Sequence, residues 1–337
     1  MAMKKFINDP KDLTKELLEG LALSNPSRIT LTADGLVVSK SLGDMKRVHI
    51  VTIAGTGHEP AISGFVGKGM VDICVPGDIF AAPGPNKCVE AIKMACDASK
   101  GAGVLFVVLN HSGDMMSGNM AMEMAEELKL NVRKLVTQED ISNAPRSDAG
   151  NRRGLVGALA MYKMASAASR EGKSLGQVYD ISEKFSLNMA TLAVAMRGAT
   201  HPQTGDFISV FAEDEMEIGM GQHGEGGGKR TGIKTADETA TIMCEALCAD
   251  LNIKSGERLM VIVNGSGSTT LMEQLIVFRK VHRILEGKGV SVVASWVDDI
   301  LTVQEAAGFQ LCLARMDDQL LKYWNEPCDA PYLRVVG

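Results

Sequence analysis

The sequence predicts an α/β fold in two halves, on three observations. Apolar residues at helical spacing alternate with short apolar runs along all 337 residues, the order from which helix-covered sheets are built. That length suits two units rather than one, and we place them at 1–185 and 186–337. Residues 219–228 read Gly-Met-Gly-Gln-His-Gly-Glu-Gly-Gly-Gly, a single imidazole, His223, among six glycines. Glycine has no Cβ and tolerates positive φ, so such a run marks backbone passing close to something else. A histidine held there, at a junction of two domains, is a common arrangement for a small-molecule pocket.

Each element follows from its local pattern. Residues 13–23 have helical spacing and stop at Asn25-Pro26. Residues 28–40 read as two short strands about Asp34-Gly35, a dipeptide that favours tight hairpins. Residues 49–54 form a strand that runs into Gly55-Thr56-Gly57-His58-Glu59-Pro60. After a helix at 86–98, a strand at 103–109 runs into Asn110-His111-Ser112-Gly113-Asp114, with a helix expected from Ser117 and Asp114 ahead of it as a turn or cap residue. Two loops thus follow two strands of one sheet, and ligands of open α/β sheets collect at the carboxyl ends of strands.

A strand at 132–137 is followed by a helical stretch over about 155–195, broken at Gly172. The second half begins with a strand at 207–219, then a helix at 236–250 and a strand at 259–263. Gly265-Ser266-Gly267-Ser268 opens a helix over 270–285, and strands at 290–296 and 309–315 precede a terminal helix.

Composition excludes several classes. The net charge of −6 comes without a Lys/Arg cluster, which disfavours nucleic acid as a partner. No apolar run reaches the length of a membrane span and the N-terminus lacks a signal-peptide core, so a cytoplasmic protein is expected. The seven cysteines are an odd number without Cys-x-x-Cys and read as buried reduced thiols. Gly219-x-Gly221-x-x-Gly224 matches a dinucleotide fingerprint, but more glycine and Lys229-Arg230-Thr231-Gly232 follow where a helix is required. Gly172-Lys173-Ser174 ends like a phosphate-binding loop, yet Ala167 stands where its first glycine belongs. What remains is His58, Asp114 and His223 in three loops, which make chemistry only if they converge.

These residues carry a family resemblance. Gly57-His58-Glu59-Pro60 with Gly64-Phe65-Val66-Gly67-Lys68-Gly69-Met70, then Asn110-x-Ser112-Gly113-Asp114, Arg152-Arg153-Gly154 and Glu215-x-Glu217-Ile218-Gly219-x-Gly221-x-His223-Gly224-Glu225, occur in order. With Val263-Asn264-Gly265 and Ser268-Thr269-Thr270-Leu271, this resembles the substrate-binding K subunit of dihydroxyacetone (glycerone) kinases over about residues 4–336. The resemblance implies two α/β domains with mixed sheets and a ligand pocket at their junction. It implies that a nitrogen of His223 attacks the carbonyl of a short ketose to give a hemiaminal, which selects ketones over polyols such as glycerol. Asp114 would be the base for the terminal hydroxyl, His58 a hydrogen-bonding partner and proton shuttle, and Gly55 and Gly57 further substrate-binding positions. The chain itself would bind no cofactor or metal. ADP or ATP with magnesium would sit on an L-type partner subunit, recharged by ATP exchange or by a phosphotransferase-system M-type subunit, and the chain would form a homodimer.

Departures from the family pattern cluster around the expected pocket. Ala82 stands where a serine contacts the sugar, Leu109 where lysine is common, His111 where tyrosine is frequent, and Ile62 where a histidine is common. Gly226 replaces a proline, losing its fixed φ. The resemblance leaves three readings: a ketose kinase subunit, a ligand-binding coactivator, and a sugar-phosphate isomerase using His58 and Asp114 for proton transfer.

Overall fold

The structure, a computed structural model, describes residues 4–221, 224–225 and 228–337; His223, Gly226 and Gly227 lie outside the described residues. After α1 (Leu13–Ser24), a hairpin of β1 (Ile29–Leu31) and β2 (Val37–Ser39) turns at Gly35, and then come β3 (His49–Thr56), β4 (Ile73–Ile79), α2 (Pro85–Ala98), β5 (Val104–Leu109), α3 (Ser112–Glu127) and β6 (Val132–Thr137). These strands make one sheet in the order β1-β2-β4-β3-β5-β6, parallel from β4 to β6 and antiparallel at the hairpin. Helices α4 (Gly157–Arg170) and α5 (Leu175–Leu187) lead to β7 (Met189–Arg197), β8 (Glu215–Ile218), β9 (Lys229–Gly232), α6 (Ala236–Leu251), β10 (Arg258–Gly265), α7 (Leu271–Gly287), β11 (Ser291–Asp298) and β12 (Ala307–Arg315). The second sheet runs β11-β10-β12-β7-β8-β9 and is antiparallel except at β10–β11, so both sheets are mixed. Last come α8 (Asp318–Asn325) and a hairpin of β13 (Cys328–Ala330) and β14 (Leu333–Val335).

Strand periodicity sorts side chains into layers. Val51, Ile53, Phe106 and Val108 face α2 and α3, while Ile50, Leu105 and Val107 face the middle of the molecule. There they join a core with α4, α5 and α8 that also takes Met260 and Ile262 from the second sheet, whose Val261 and Val263 face α6 and α7. Helix α4 is buried from Gly157 to Ser169, between β3 of one sheet and β7 of the other. Helix starts follow sequence signals: Ser174/Gln177, Thr235/Glu238 and Thr270/Glu273 form capping boxes for α5, α6 and α7.

Three sequence expectations are corrected. The helix expected to continue to 195 ends at Leu187, and Met189–Arg197 is a strand. Its alanines favour a helix in isolation, but it is hydrogen-bonded to β12 on one side and β8 on the other, and buried pairing overrides propensity. The strand expected over 207–219 is confined to Glu215–Ile218, because β7 offers pairing only at Val194 and Ala195; residues before it form a loop whose Ile208 N–H donates to Ala199 O at 2.8 Å. Helix α3 begins at Ser112 rather than Ser117, since the Met115 N–H already donates to His111 O at 2.8 Å, and Asp114 therefore lies inside its first turn.

Candidate active site

Strands β3 and β5 are neighbours in the first sheet, and the chain leaving their carboxyl ends opens a cavity of about 690 Å³. Ala54 and Gly55 line it from β3, Leu109 from β5, residues 110–115 from the start of α3, and Glu225 and Leu301 from the second half. His58 and Asp114, separated by 56 residues in sequence, both line this one cavity.

His58 is buried and held from behind. Its Nδ1 donates to the carbonyl of Thr302 at 2.7 Å, and its own carbonyl accepts from the Thr302 N–H at 3.1 Å. Thr302 Oγ1 donates to the Glu59 carbonyl at 2.8 Å, so the loop after β11 grips the loop after β3 along its length. Phe80 packs against the imidazole, with ring centroids 5.0 Å apart, and against His201 at 5.4 Å. Gly57 turns the chain with φ of +98°, where a Cβ would also lie 2.7 Å from the Phe80 ring; its N–H donates to Glu59 Oε1 at 3.0 Å. Gly57 is not among the lining residues, whereas Gly55 is.

Asp114 reaches the cavity because α3 starts early. Its place in the first turn of a 16-residue helix sets the carboxylate at the helix end that faces the cavity. His111, just before α3, donates from Nε2 to the Gly154 carbonyl at 2.8 Å and places Nδ1 3.9 Å from Glu225 Oε1. Asn110 Nδ2 donates to the Gly150 and Arg152 carbonyls at 2.9 and 2.6 Å, tying the loop before α4 to the cavity floor.

Arg153, which the sequence offered only as part of a motif, also lines the cavity and is 7% exposed. Its Nε donates to Asp140 Oδ2 at 2.8 Å and its Nη2 to Ser142 Oγ at 3.0 Å. Of the sequence-derived positions, His58, Asp114 and Gly55 come together here, while His223 falls outside the described residues, between Gly221 and Glu225 in sequence. Phe80, Asn143, Asn151, Arg153 and Glu225 join the lining without having been singled out as site residues; Arg153 and Glu225 stood in quoted motifs, the signal that marks them. The departures Ile62, Ala82, Leu109 and His111 all line the cavity as well, so its wall is apolar at three of those four positions. Among the described residues no group of three His, Cys, Asp or Glu side chains is placed to hold a metal ion, and no helix is long and apolar enough to cross a membrane.

Comparison with known proteins gives this geometry its family. The Dak1 domain matches residues 19–332, nearly the whole chain. The protein belongs to the Dak1 domain family. This Dak1 chain is 35% identical over 335 residues to the dihydroxyacetone-binding subunit DhaK of PTS-dependent dihydroxyacetone kinase 2 from Listeria innocua, covering 99% of the chain and 100% of the relative. Among solved structures, the Dak1 chain superposes on the dihydroxyacetone kinase operon co-activator Dha-DhaQ with a TM-score of 0.87 at 30% identity, over 96% of this chain and 98% of that one. It superposes equally, with a TM-score of 0.87 at 27% identity, on the dihydroxyacetone kinase from C. freundii in complex with AMP-PNP and Mg2+, where it covers 99% of itself and 61% of that chain.

Proposed function

We propose that this Dak1 chain is the ketose-binding subunit of a dihydroxyacetone-type kinase. The observation that carries the reading is the meeting of His58 and Asp114, from loops after two different strands, in one cavity whose far wall includes Glu225, two residues beyond His223. The lone pair of a neutral His223 nitrogen adds to the carbonyl carbon of the ketose, the C=O π pair moves to oxygen, which gains a proton, and the other ring nitrogen loses one. The product is a hemiaminal. An imidazole with an ordinary pKa near 6.5 is mostly neutral at cytosolic pH and can do this. Asp114 then takes the proton of the terminal hydroxyl as that oxygen attacks the γ-phosphorus of ATP on the partner subunit, the bond from that phosphorus to the β-phosphate oxygen breaks and ADP leaves, and His58, with hydrogen on Nδ1, turns its Nε2 side to the same hydroxyl network.

Nucleotide and magnesium belong, in this reading, to a separate L-type subunit, recharged by ATP or by a phosphotransferase-system M-type protein, with the Dak1 chain as a homodimer. The PTS-dependent Listeria relative, covered from end to end, and the C. freundii kinase bound to AMP-PNP and Mg2+, of which this chain spans 61%, both support that division of labour.

The test is phosphoryl transfer to dihydroxyacetone and erythrulose by the purified chain with an L-type subunit and ATP, and separately with a phosphotransferase-system donor. Transfer abolished by His223→Ala and by Asp114→Asn is the expected result. A second reading, a ligand-binding coactivator, is favoured by the structural likeness to Dha-DhaQ and by the apolar Ile62, Ala82 and Leu109 in the wall. Ketose binding with no transfer from either donor, together with binding to a transcription regulator, would establish it instead.

A further inference from the structure

Two described residues of the glycine-rich run, Gly219 and Glu225, are both reached by one guanidinium from the first half of the molecule. Arg153, on the segment between β6 and α4, extends Nη2 to the Gly219 carbonyl at 3.4 Å and Nη1 to the Glu225 carbonyl at 3.5 Å, so one guanidinium spans both described flanks of the loop. Nη1 also stands 3.9 Å from the Glu225 carboxylate. The loop closes on itself where the Gly221 N–H donates to the Glu225 carbonyl at 2.9 Å. On its other side the arginine is anchored by Asp140, whose Oδ1 accepts from the Ser142 N–H and hydroxyl at 2.9 and 2.7 Å.

The glycine at 221 leaves room for the guanidinium. A Cβ on residue 221 would lie 2.0 Å from Arg153 Nη1 and 2.3 Å from Glu225 Oε2, so those side-chain ends would have to move off their present positions. Asp140, Ser142, Gly219 and Glu225 present acceptors at separate points around a planar fork, a pattern guanidinium matches and the single point of a lysine ammonium does not.

We propose that Arg153 is a positioning residue for the loop that carries His223: it ties the described flanks of that loop, Gly219 and Glu225, to the end of the first sheet, and adduct formation at His223 depends on that tether. This rests on the reading that His223 bonds the ketone. Holding a nucleophile beside its carbonyl pre-pays the entropy of bringing the two together, so loosening the tether lowers the population of the adduct as well as its rate of formation.

The experiment saturates the full chain with dihydroxyacetone labelled with 13C at C2 and records, well below each variant's unfolding midpoint, how much bound C2 is tetrahedral rather than carbonyl. In the parent protein the tetrahedral signal is expected, and it disappears in His223→Ala. Arg153→Met is expected to lower the tetrahedral-to-carbonyl ratio at least about tenfold, Arg153→Lys less, and Gly221→Ala in the same direction with the arginine retained. A purely structural role lowers the folded fraction but leaves the ratio of the folded, saturated protein unchanged. A parental ratio in folded Arg153→Met, or in folded Arg153→Lys and Gly221→Ala if the methionine variant does not fold, overturns the proposal and leaves the ketone reading standing. Absence of the tetrahedral signal in the parent protein defeats both together.

Discussion

The Nδ1 of His58 and the carbonyl oxygen of Thr302 stand 2.7 Å apart, one residue from the loop after β3 and the other from the loop after β11. A carbonyl only accepts, so Nδ1 carries the hydrogen and the neutral ring keeps its lone pair on Nε2. Thr302 is itself held in place from β10: Asn264 Oδ1 accepts from the Ile300 and Leu301 N–H groups at 2.8 and 2.9 Å, and its Nδ2 donates to the Leu301 carbonyl at 2.8 Å. A buried amide of the second sheet thereby sets the tautomer of a cavity histidine in the first.

His58→Asn separates the two jobs of that histidine. The asparagine amide can still donate to Thr302, while the Nε2 position is lost. Phosphoryl transfer is expected to fall about 100-fold or more, the usual scale for losing a general acid or base, with the unfolding temperature little changed. Steady-state kinetics beside thermal unfolding checks it, and an unchanged kcat would remove His58 from the chemistry.

Ala82→Ser tests the apolar wall. Ala82 lines the cavity beside the start of α3, with its Cβ 3.2 Å from where a Cβ on Gly113 would sit. A hydroxyl there that reaches the ketose would add about 1 kcal/mol, or roughly fivefold in affinity for dihydroxyacetone. Calorimetric titration with dihydroxyacetone and erythrulose reads the effect, and equal affinities for variant and parent would mean that this wall does not contact the sugar.

Much of this architecture is legible in the chain because local signals agree with their surroundings. The Asp34-Gly35 hairpin, the helices of α2, α6 and α7, and the strand-end loop bearing His58 stand where spacing, caps and turn residues put them, whereas Asp114 lies in the first turn of α3 rather than in a loop ahead of it. Strand β7 is not legible, because Met-Ala-Thr-Leu-Ala-Val-Ala-Met carries helical propensity and becomes a strand only through its two neighbours in space. Strand β4 hides behind Pro76 and Gly77, and the β13–β14 hairpin is short and gains its place by pairing Asp329 with Lys68 of the first half. Arg153 follows the same logic: two adjacent arginines look like solvated surface until the fold buries them against Asp140 and Asp250.

Arg47 and Asp72 form a buried pair under the first sheet, with Arg47 Nη1 donating to Asp72 Oδ2 at 2.9 Å and the Ile50 N–H donating to the same oxygen at 2.8 Å. Burial pushes the Asp72 carboxyl up, but the hydrogen bonds and charge of Arg47 outweigh it, with His49 Nδ1 3.2 Å away, and hold the group down at about 2. A pKa depressed below the unfolded value near 3.9 gives stability that is present above about pH 4 and lost as pH falls through about 2. Asp72→Asn removes the buried acid partner of Arg47, leaving only the partly exposed Asp44 at 3.5 Å as its acid, and is expected to cost about 3–5 kcal/mol at neutral pH, read by urea unfolding. A cost below about 1 kcal/mol would show that the pair contributes little.

Glu139 supplies the opposite sign. It lies at the seam between the sheets, its N–H donating to the Arg153 carbonyl at 3.0 Å and its carbonyl accepting from the Thr191 N–H of β7 at 2.9 Å. Its side chain is fully buried, and burial pushes the carboxyl up to about 8 although the Leu155 N–H donates to Oε1 at 2.9 Å. The folded protein therefore holds a proton that the unfolded chain, with a carboxyl near 4.3, has released. Stability from this group is complete below about pH 4 and declines as pH rises toward the folded value of about 8, above which the loss levels off. Glu139→Gln keeps an acceptor for Leu155 and cannot ionise, so the variant is expected to hold its unfolding temperature between neutral and mildly alkaline pH where the parent loses it. The two proteins are compared by thermal unfolding across that range. Parallel curves would mean that Glu139 carries its charge in the folded state, and that the seam beside Arg153 is built to accommodate it.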